Sequence, residues 1–299
     1  MKPIRMSVAG AMIYLLCVSS TLAQSPNRLA AVSMAPMLKA QCLAVLHQAL
    51  TSDEFWPAMH AAEALTLAGE TNSVRAALAT RLPAERDDQR RCGLARELVR
   101  AGDRQPLAIL EHILADANST GRVHAAESLY KLGETGAAEQ LRAASKQSAK
   151  GPLQLWATAA LAKSGDKACL AELRASLRSE ARASRSTAAF ALARLGDTSD
   201  VDALSGALVT ETDPFARVIL AGALACQGHA GGRAELGRQL ESADAGVRAI
   251  SADLVGASRS VEYQSQLVAL LQDDALDVRV RAAQSLLGLS QPATPLQDK

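Results

Sequence analysis

Apolar residues recur along this chain at the i, i+3, i+4 spacing of an amphipathic helix, as in Pro106-Leu107-Ala108-Ile109-Leu110 with Ile113-Leu114, or Leu267-Val268-Ala269-Leu270-Leu271. Between such stretches lies a second kind of segment, in which a small-residue pair precedes a leucine and the run stops at Gly or Ser. His60 to Gly69 reads HAAEALTLAG, Gly93 to Gly102 GLARELVRAG, His124 to Gly133 HAAESLYKLG and Trp156 to Gly165 WATAALAKSG. Thr187 to Gly196, Ile219 to Gly228, Ala249 to Ser258 and Arg281 to Ser290 continue the series. The anchoring leucines (Leu65, Leu98, Leu129, Leu161, Leu192, Leu224, Leu254, Leu286) repeat at about 30 to 33 residues, one pair of helices per unit.

The terminal Gly or Ser marks where each helix stops, since glycine takes the left-handed C-cap conformation without a Cβ penalty. Connectors rich in Asp or Ser close the units: Asp116 to Ser119, Glu211 to Asp213, Asp273-Asp274. Paired alanines (Ala61-Ala62, Ala125-Ala126, Ala188-Ala189, Ala282-Ala283) let helices approach closely. A lone pair buries too little surface, so stacking must stabilise the fold. The expected architecture is all-α: one curved α-α superhelix of about eight two-helix repeats over 37–290.

Composition narrows the partners. Lys plus Arg is 32 against 31 Asp plus Glu, a net charge of +1, so no overall field favours nucleic acid. Aromatics make up only 3%, which disfavours a large core built on rings. Lys2 and Arg5 precede an apolar run, Met6 to Val18, of about 13 residues, shorter than the ~20 that cross a bilayer. Thr21-Leu22-Ala23 then offers a small-residue cleavage site, so 1–23 is expected to be a signal peptide removed at Ala23-Gln24. The mature protein is expected to be exported, periplasmic or secreted, with no membrane attachment. Residues 24–36 read as a linker and 291–299, with Pro292 and Pro295, as a disordered tail. Met37 to Leu50 reads as a helix capping one end of the array. Cys42, Cys92, Cys169 and Cys226 have no metal-ligand spacing; a Cys42–Cys92 disulfide is possible and not required.

These segments resemble the HEAT repeats, in particular the short, phycobilisome-lyase-like variety with the pattern D-x-x-V-R-x-x-A-A-x-A-L-x-x-L-G. Asp277-Val278-Arg279 with Ala282-Ala283 and Leu286 fits it, as do Arg122-Val123 with Ala125-Ala126 and Leu129, and Arg185 with Ala188-Ala189 and Leu192. The resemblance implies that the glycine-terminated helices line the concave side. It also implies that Arg91, Arg122, Arg185, Arg217 and Arg279 are structural, bonding an Asp of a neighbouring repeat. Such repeats serve scaffolds, adaptors, lyases and one iron enzyme, deoxyhypusine hydroxylase, which holds metal with His-Glu dipeptides. Here His60 and His124 are each followed by Ala, and Glu63 and Glu127 come three residues later. Two such pairs, two repeats apart, are too distant to share a metal, and each reads as a solvated pair on a polar helix face. Cys226 with His229 lacks the third group an activated thiol needs. No nucleophile elbow, phosphate loop or HExxH motif is present.

On the concave face, positions nine, six, five and two before each terminal Gly or Ser share a side. In the first three repeats this side is charged: His60, Glu63, Arg96, Glu97, Arg100, His124, Glu127, Ser128, Lys131. In the next three it turns apolar, with Trp156, Phe190 and Ile219 and a basic edge of Lys163 and Arg194. A groove of Trp156, Phe190 and Ile219 flanked by Arg100, Lys131, Lys163 and Arg194 is therefore the candidate binding surface for an apolar, carboxylate-bearing segment of another protein. The function expected is a non-catalytic protein-binding scaffold with no cofactor and no metal. The alternative is an accessory factor presenting a client to an enzyme, with a HEAT-type lyase or metal-dependent enzyme behind it.

Overall fold

The computed structural model describes residues 34–147 and 151–292. The expected leader and its cleavage site, residues 24–33 of the expected linker and nearly all of the expected tail lie outside the described residues.

Helices follow one another in chain order: α1 (Pro36–Leu50), α2 (Phe55–Leu67), α3 (Thr71–Leu78), α4 (Arg81–Ala84), α5 (Asp88–Arg100), α6 (Leu107–Ala115), α7 (Arg122–Leu132), α8 (Ala138–Ser145) and α9 (Pro152–Lys163). The series continues with α10 (Lys167–Ser176), α11 (Arg182–Leu195), α12 (Val201–Thr210), α13 (Pro214–Cys226), α14 (Ala230–Gln239), α15 (Ala245–Ala257), α16 (Gln264–Leu270) and α17 (Leu276–Ser290). It is a HEAT-type array of outer and inner helices, without a strand among the described residues.

The inner layer is α2, α5, α7, α9, α11, α13, α15 and α17, each packed on the next. All eight anchoring leucines are buried, as are the four alanine pairs. Small residues set the spacing: a Cβ added to Gly222 on α13 would lie 2.4 Å from Leu254 Cδ1 on α15. Inner helices run parallel, because the end of one donates to the end of another. Lys163 Nζ donates to Tyr130 O (3.0 Å), and Gln227 Nε2 to Leu192 O (3.1 Å).

The array does not remain an open superhelix. α17 packs against α2, and Gln291 Nε2 donates to Leu67 O, so the eighth inner helix meets the first and the inner layer closes into a ring. α1 is not an end cap, as the sequence suggested. It is the outer helix of the first repeat and lies over the α17–α2 seam, burying Cys42, Leu46, Ala49 and Leu50, just as α6 lies over the junction of α5 and α7.

Two details of the repeats differ from expectation. The helix expected to stop at Ser258 places Arg259 in the left-handed conformation (φ 53°), and Arg259 then donates to Gly288 O, Leu289 O and Gln291 O at the end of α17. That shift of one residue puts Arg248 in the recurring arginine position. Only part of the arginine series reaches a neighbouring repeat. Arg185 pairs with Glu211 (2.6 Å) and Arg217 with Glu235 (3.6 Å), whereas Arg122 and Arg279 bond backbone carbonyls of the preceding turn. All four described cysteines are unpaired, and burial pushes the Cys92 thiol up to about 12.

Candidate functional site

Closure turns the concave face into the wall of a lumen. Side chains from every inner helix reduce it to a cavity of about 730 Å³. The seven residues named from sequence, Arg100, Lys131, Trp156, Lys163, Phe190, Arg194 and Ile219, all line it. Of these, Ile219 is buried in the packing between helices, while Trp156 and Phe190 are half-buried and present ring surface to the cavity.

One side of the lumen is aromatic. Tyr130 on α7, Trp156 on α9 and Phe190 on α11 form a continuous chain, with ring centroids 5.3 and 5.7 Å apart. Helical spacing brings one such residue to the inner face of each of three successive repeats. Cations sit on these rings: Lys163 Nζ is 5.2 Å from the Tyr130 centroid, Lys131 Nζ 5.8 Å and the Arg194 guanidinium 4.5 Å from that of Phe190. Such placements gain from the ring quadrupole, most where water is excluded. Lys131 and Phe190 belong to helices separated by α9, so this contact skips a helix along the aromatic side.

The other side, where α17 meets α2, is ionic. His60 Nδ1 is hydrogen-bonded to Asp277 Oδ1 at 2.6 Å. Glu63 pairs with Arg100 (3.1 Å) and Arg281 (3.6 Å), and Arg281 with Asp253 (3.2 Å). Arg194 reaches the same Asp253 at 4.0 Å, joining the network to the aromatic side. Behind the lumen, buried Glu97 takes Arg96 (2.6 Å) and Arg100. Burial opposes ionisation of Glu63, yet Arg100 and Arg281 hold its carboxyl far below the usual range. Burial, reinforced by Arg281, lowers the pKa of His60 despite its bond to Asp277. The imidazole is therefore neutral at pH 7. Because an ionised carboxylate only accepts, Nδ1 carries the proton. Nε2 is left as a lone-pair acceptor on a side chain that lines the cavity, the state in which imidazole can receive a proton from a bound molecule.

The two histidine–glutamate elements are thus not solvated pairs. Glu63 is enclosed by arginines, and His124 stacks on Trp56 with centroids 5.5 Å apart, its Nδ1 buried without a partner. Burial lowers the pKa of His124 as well. Cys226 and His229 do not form a reactive pair: burial pushes the thiol up to about 11, and His229 Nδ1 accepts the Gly232 N–H as an N-cap.

Asp277, Arg281 and Asp253 escaped the sequence reading, although Arg281 lies nine and Asp253 five residues before the terminal serines of their repeats, on the counted face. Their relation to His60 and Glu63 depends on closure, which brings together residues 217 positions apart in the case of His60 and Asp277.

No protein-family model and no curated protein matches the chain. Two similar solved structures are human deoxyhypusine hydroxylase in complex with glycerol (19% identity, TM-score 0.42) and an engineered protein (17% identity, TM-score 0.32). Each alignment covers 85% of this chain and 97% of the other. At these values neither assigns a substrate or reaction to this chain.

The expectation of a non-catalytic protein-binding scaffold is corrected here. Ring closure replaces the open concave groove which that reading required with the wall of an enclosed lumen. The lumen's volume of about 730 Å³ falls within the range of small-molecule sites.

Proposed function

We propose that this chain encloses a small, ring-bearing organic molecule in the lumen of its closed helical ring, in the exported compartment that its leader sequence suggests. The observation that carries this reading is the cavity of about 730 Å³ walled on one side by Tyr130, Trp156 and Phe190. Tilted and edge-on ring surfaces favour a flat unsaturated body. The cavity's closed circumference removes such a body from water on several sides at once, which an open groove does not. The finer kinship, to the short phycobilisome-lyase-like variety of HEAT repeat, belongs to the same proposal and rests on the Asp277-Val278-Arg279 and Arg122-Val123 motifs.

The test uses the chain's two tryptophans. With Trp56→Phe, Trp156 is the sole indole. Titration with a naphthalene fluorophore is expected to quench it saturably at one molecule per chain, with energy transfer to the fluorophore. A linear response that never saturates, at unchanged helicity, would overturn the reading.

A further inference from the structure

Charge in the lumen is unevenly compensated. Six cationic side chains line it against four carboxylates. Asp213, at the first turn of α13, has Arg182 as its partner at 2.6 Å. Each of the other three lies among two cations: Glu63 between Arg100 and Arg281, Asp253 between Arg281 and Arg194, and Glu127 between Lys131 (2.7 Å) and nearby Arg96. With Arg96 counted, and with Glu97, which pairs with Arg96 and Arg100, and Asp277 beside Arg281 included, seven cations face six carboxylates, and the arrangement shows where the excess lies. Asp253 is closer to Arg281 than to Arg194, which is left with a carboxylate at 4.0 Å.

Arg194 and Lys131 both rest on Phe190, at 4.5 and 5.8 Å from the ring centroid. They come from α11 and α7, on either side of the helix that carries Trp156. Two cations from non-adjacent helices over one ring repel each other, an arrangement that an anion between them would relieve. The same ring continues through Trp156 to Tyr130, so the seat for the anion adjoins the seat for a flat body.

Building on the proposed lumen, we infer that its ligand is an organic anion: a ring system lying along Trp156 and Phe190, with a carboxylate or sulfonate held between Lys131 and Arg194. A charge-assisted hydrogen bond from Arg194 and a second from Lys131 would fix its orientation.

Two probes of one shape separate this inference from the reading beneath it: 1-anilinonaphthalene-8-sulfonate, an anion, and N-phenyl-1-naphthylamine, its uncharged parent. Both are titrated into the wild type, Arg194→Gln, Lys131→Gln and the charge-preserving Arg194→Lys, with helicity measured on each. The expected result is that the sulfonate binds at least about tenfold more tightly than the amine, that each glutamine variant costs the sulfonate about tenfold, and that Arg194→Lys recovers most of the loss. The amine's affinity should be unchanged throughout. Equal affinity of the two probes, or glutamine variants that weaken both alike, would overturn the anion seat while leaving the lumen as a site for ring-bearing molecules. Saturable binding of neither would overturn both.

Discussion

The two sides of the lumen that face each other are built from opposite chemistry. Where α9 meets α11, the helices follow in sequence, their register is limited by the connection through α10, and the inner surface carries Trp156 and Phe190. Diametrically across, α17 meets α2 with no connecting segment, and the inner surface carries His60, Glu63 and Arg281 bonded to Asp277, Arg100 and Asp253. A junction between chain neighbours can rely on apolar packing because a short connection already restricts its alternatives. The seam brings together segments more than 200 residues apart, at a loop-closure cost that ordinary junctions avoid. Apolar faces rich in alanine would accept several registers; directional ion pairs accept one. On this view the charged half of the lumen is first a device for closing the ring correctly, and the aromatic half is left free to meet a ligand.

The largest effect should come from breaking the seam's charge balance. Glu63→Gln leaves Arg100 and Arg281 facing each other without their common carboxylate, and should destabilise the fold by about 3 kcal/mol in urea unfolding. A change below about 0.5 kcal/mol would mean that the charged side does not hold the ring. Next in size, His60→Leu removes the partner of Asp277 and should cost about 2 kcal/mol at neutral pH.

That variant should also change the pH profile. His60 has its pKa lowered from 6.5 in the fold, so as pH falls below about 6.5 the unfolded chain takes up the proton first and stability drops. Asp277, lowered from 3.8, adds stability above that value that is lost as pH falls through its depressed folded pKa. Both act in the same direction. The wild type should therefore lose stability on acidification from neutrality, and His60→Leu should flatten the upper part of that slope, leaving the share due to His124. An unchanged slope in the variant would assign acid sensitivity elsewhere. The smallest effect belongs away from the seam: Asp244→Ala removes the side chain that caps α15 by accepting the Val247 N–H at 3.0 Å, and should lower stability by about 1 kcal/mol in urea unfolding.

What could be read from sequence was whatever repeats. The period, the inner helices, their buried leucines and alanine pairs, and the residues on the inner face all follow from local spacing. Ring closure does not, because it depends on the small rotation between successive repeats summed around the array, and no single repeat encodes that sum visibly. For the same reason His60 was assigned to Glu63, three residues along its own helix face, when its partner Asp277 stands in the last repeat. Arg259 shows a subtler limit: a serine looked like the stop, but the left-handed position falls one residue later on an arginine held there by carbonyls of α17.

Closure also makes this protein a matter of whole numbers. An open solenoid can gain or lose a repeat during evolution and merely become longer or shorter, since its ends are already provided for. With eight inner helices sharing a full circle, each repeat turns by about 45°, and a ninth or a missing one would leave a gap or a clash that no local adjustment spreads evenly. Variation among proteins of this shape should therefore accumulate as substitutions on the lumen wall and as insertions in outer loops, with the repeat count held constant.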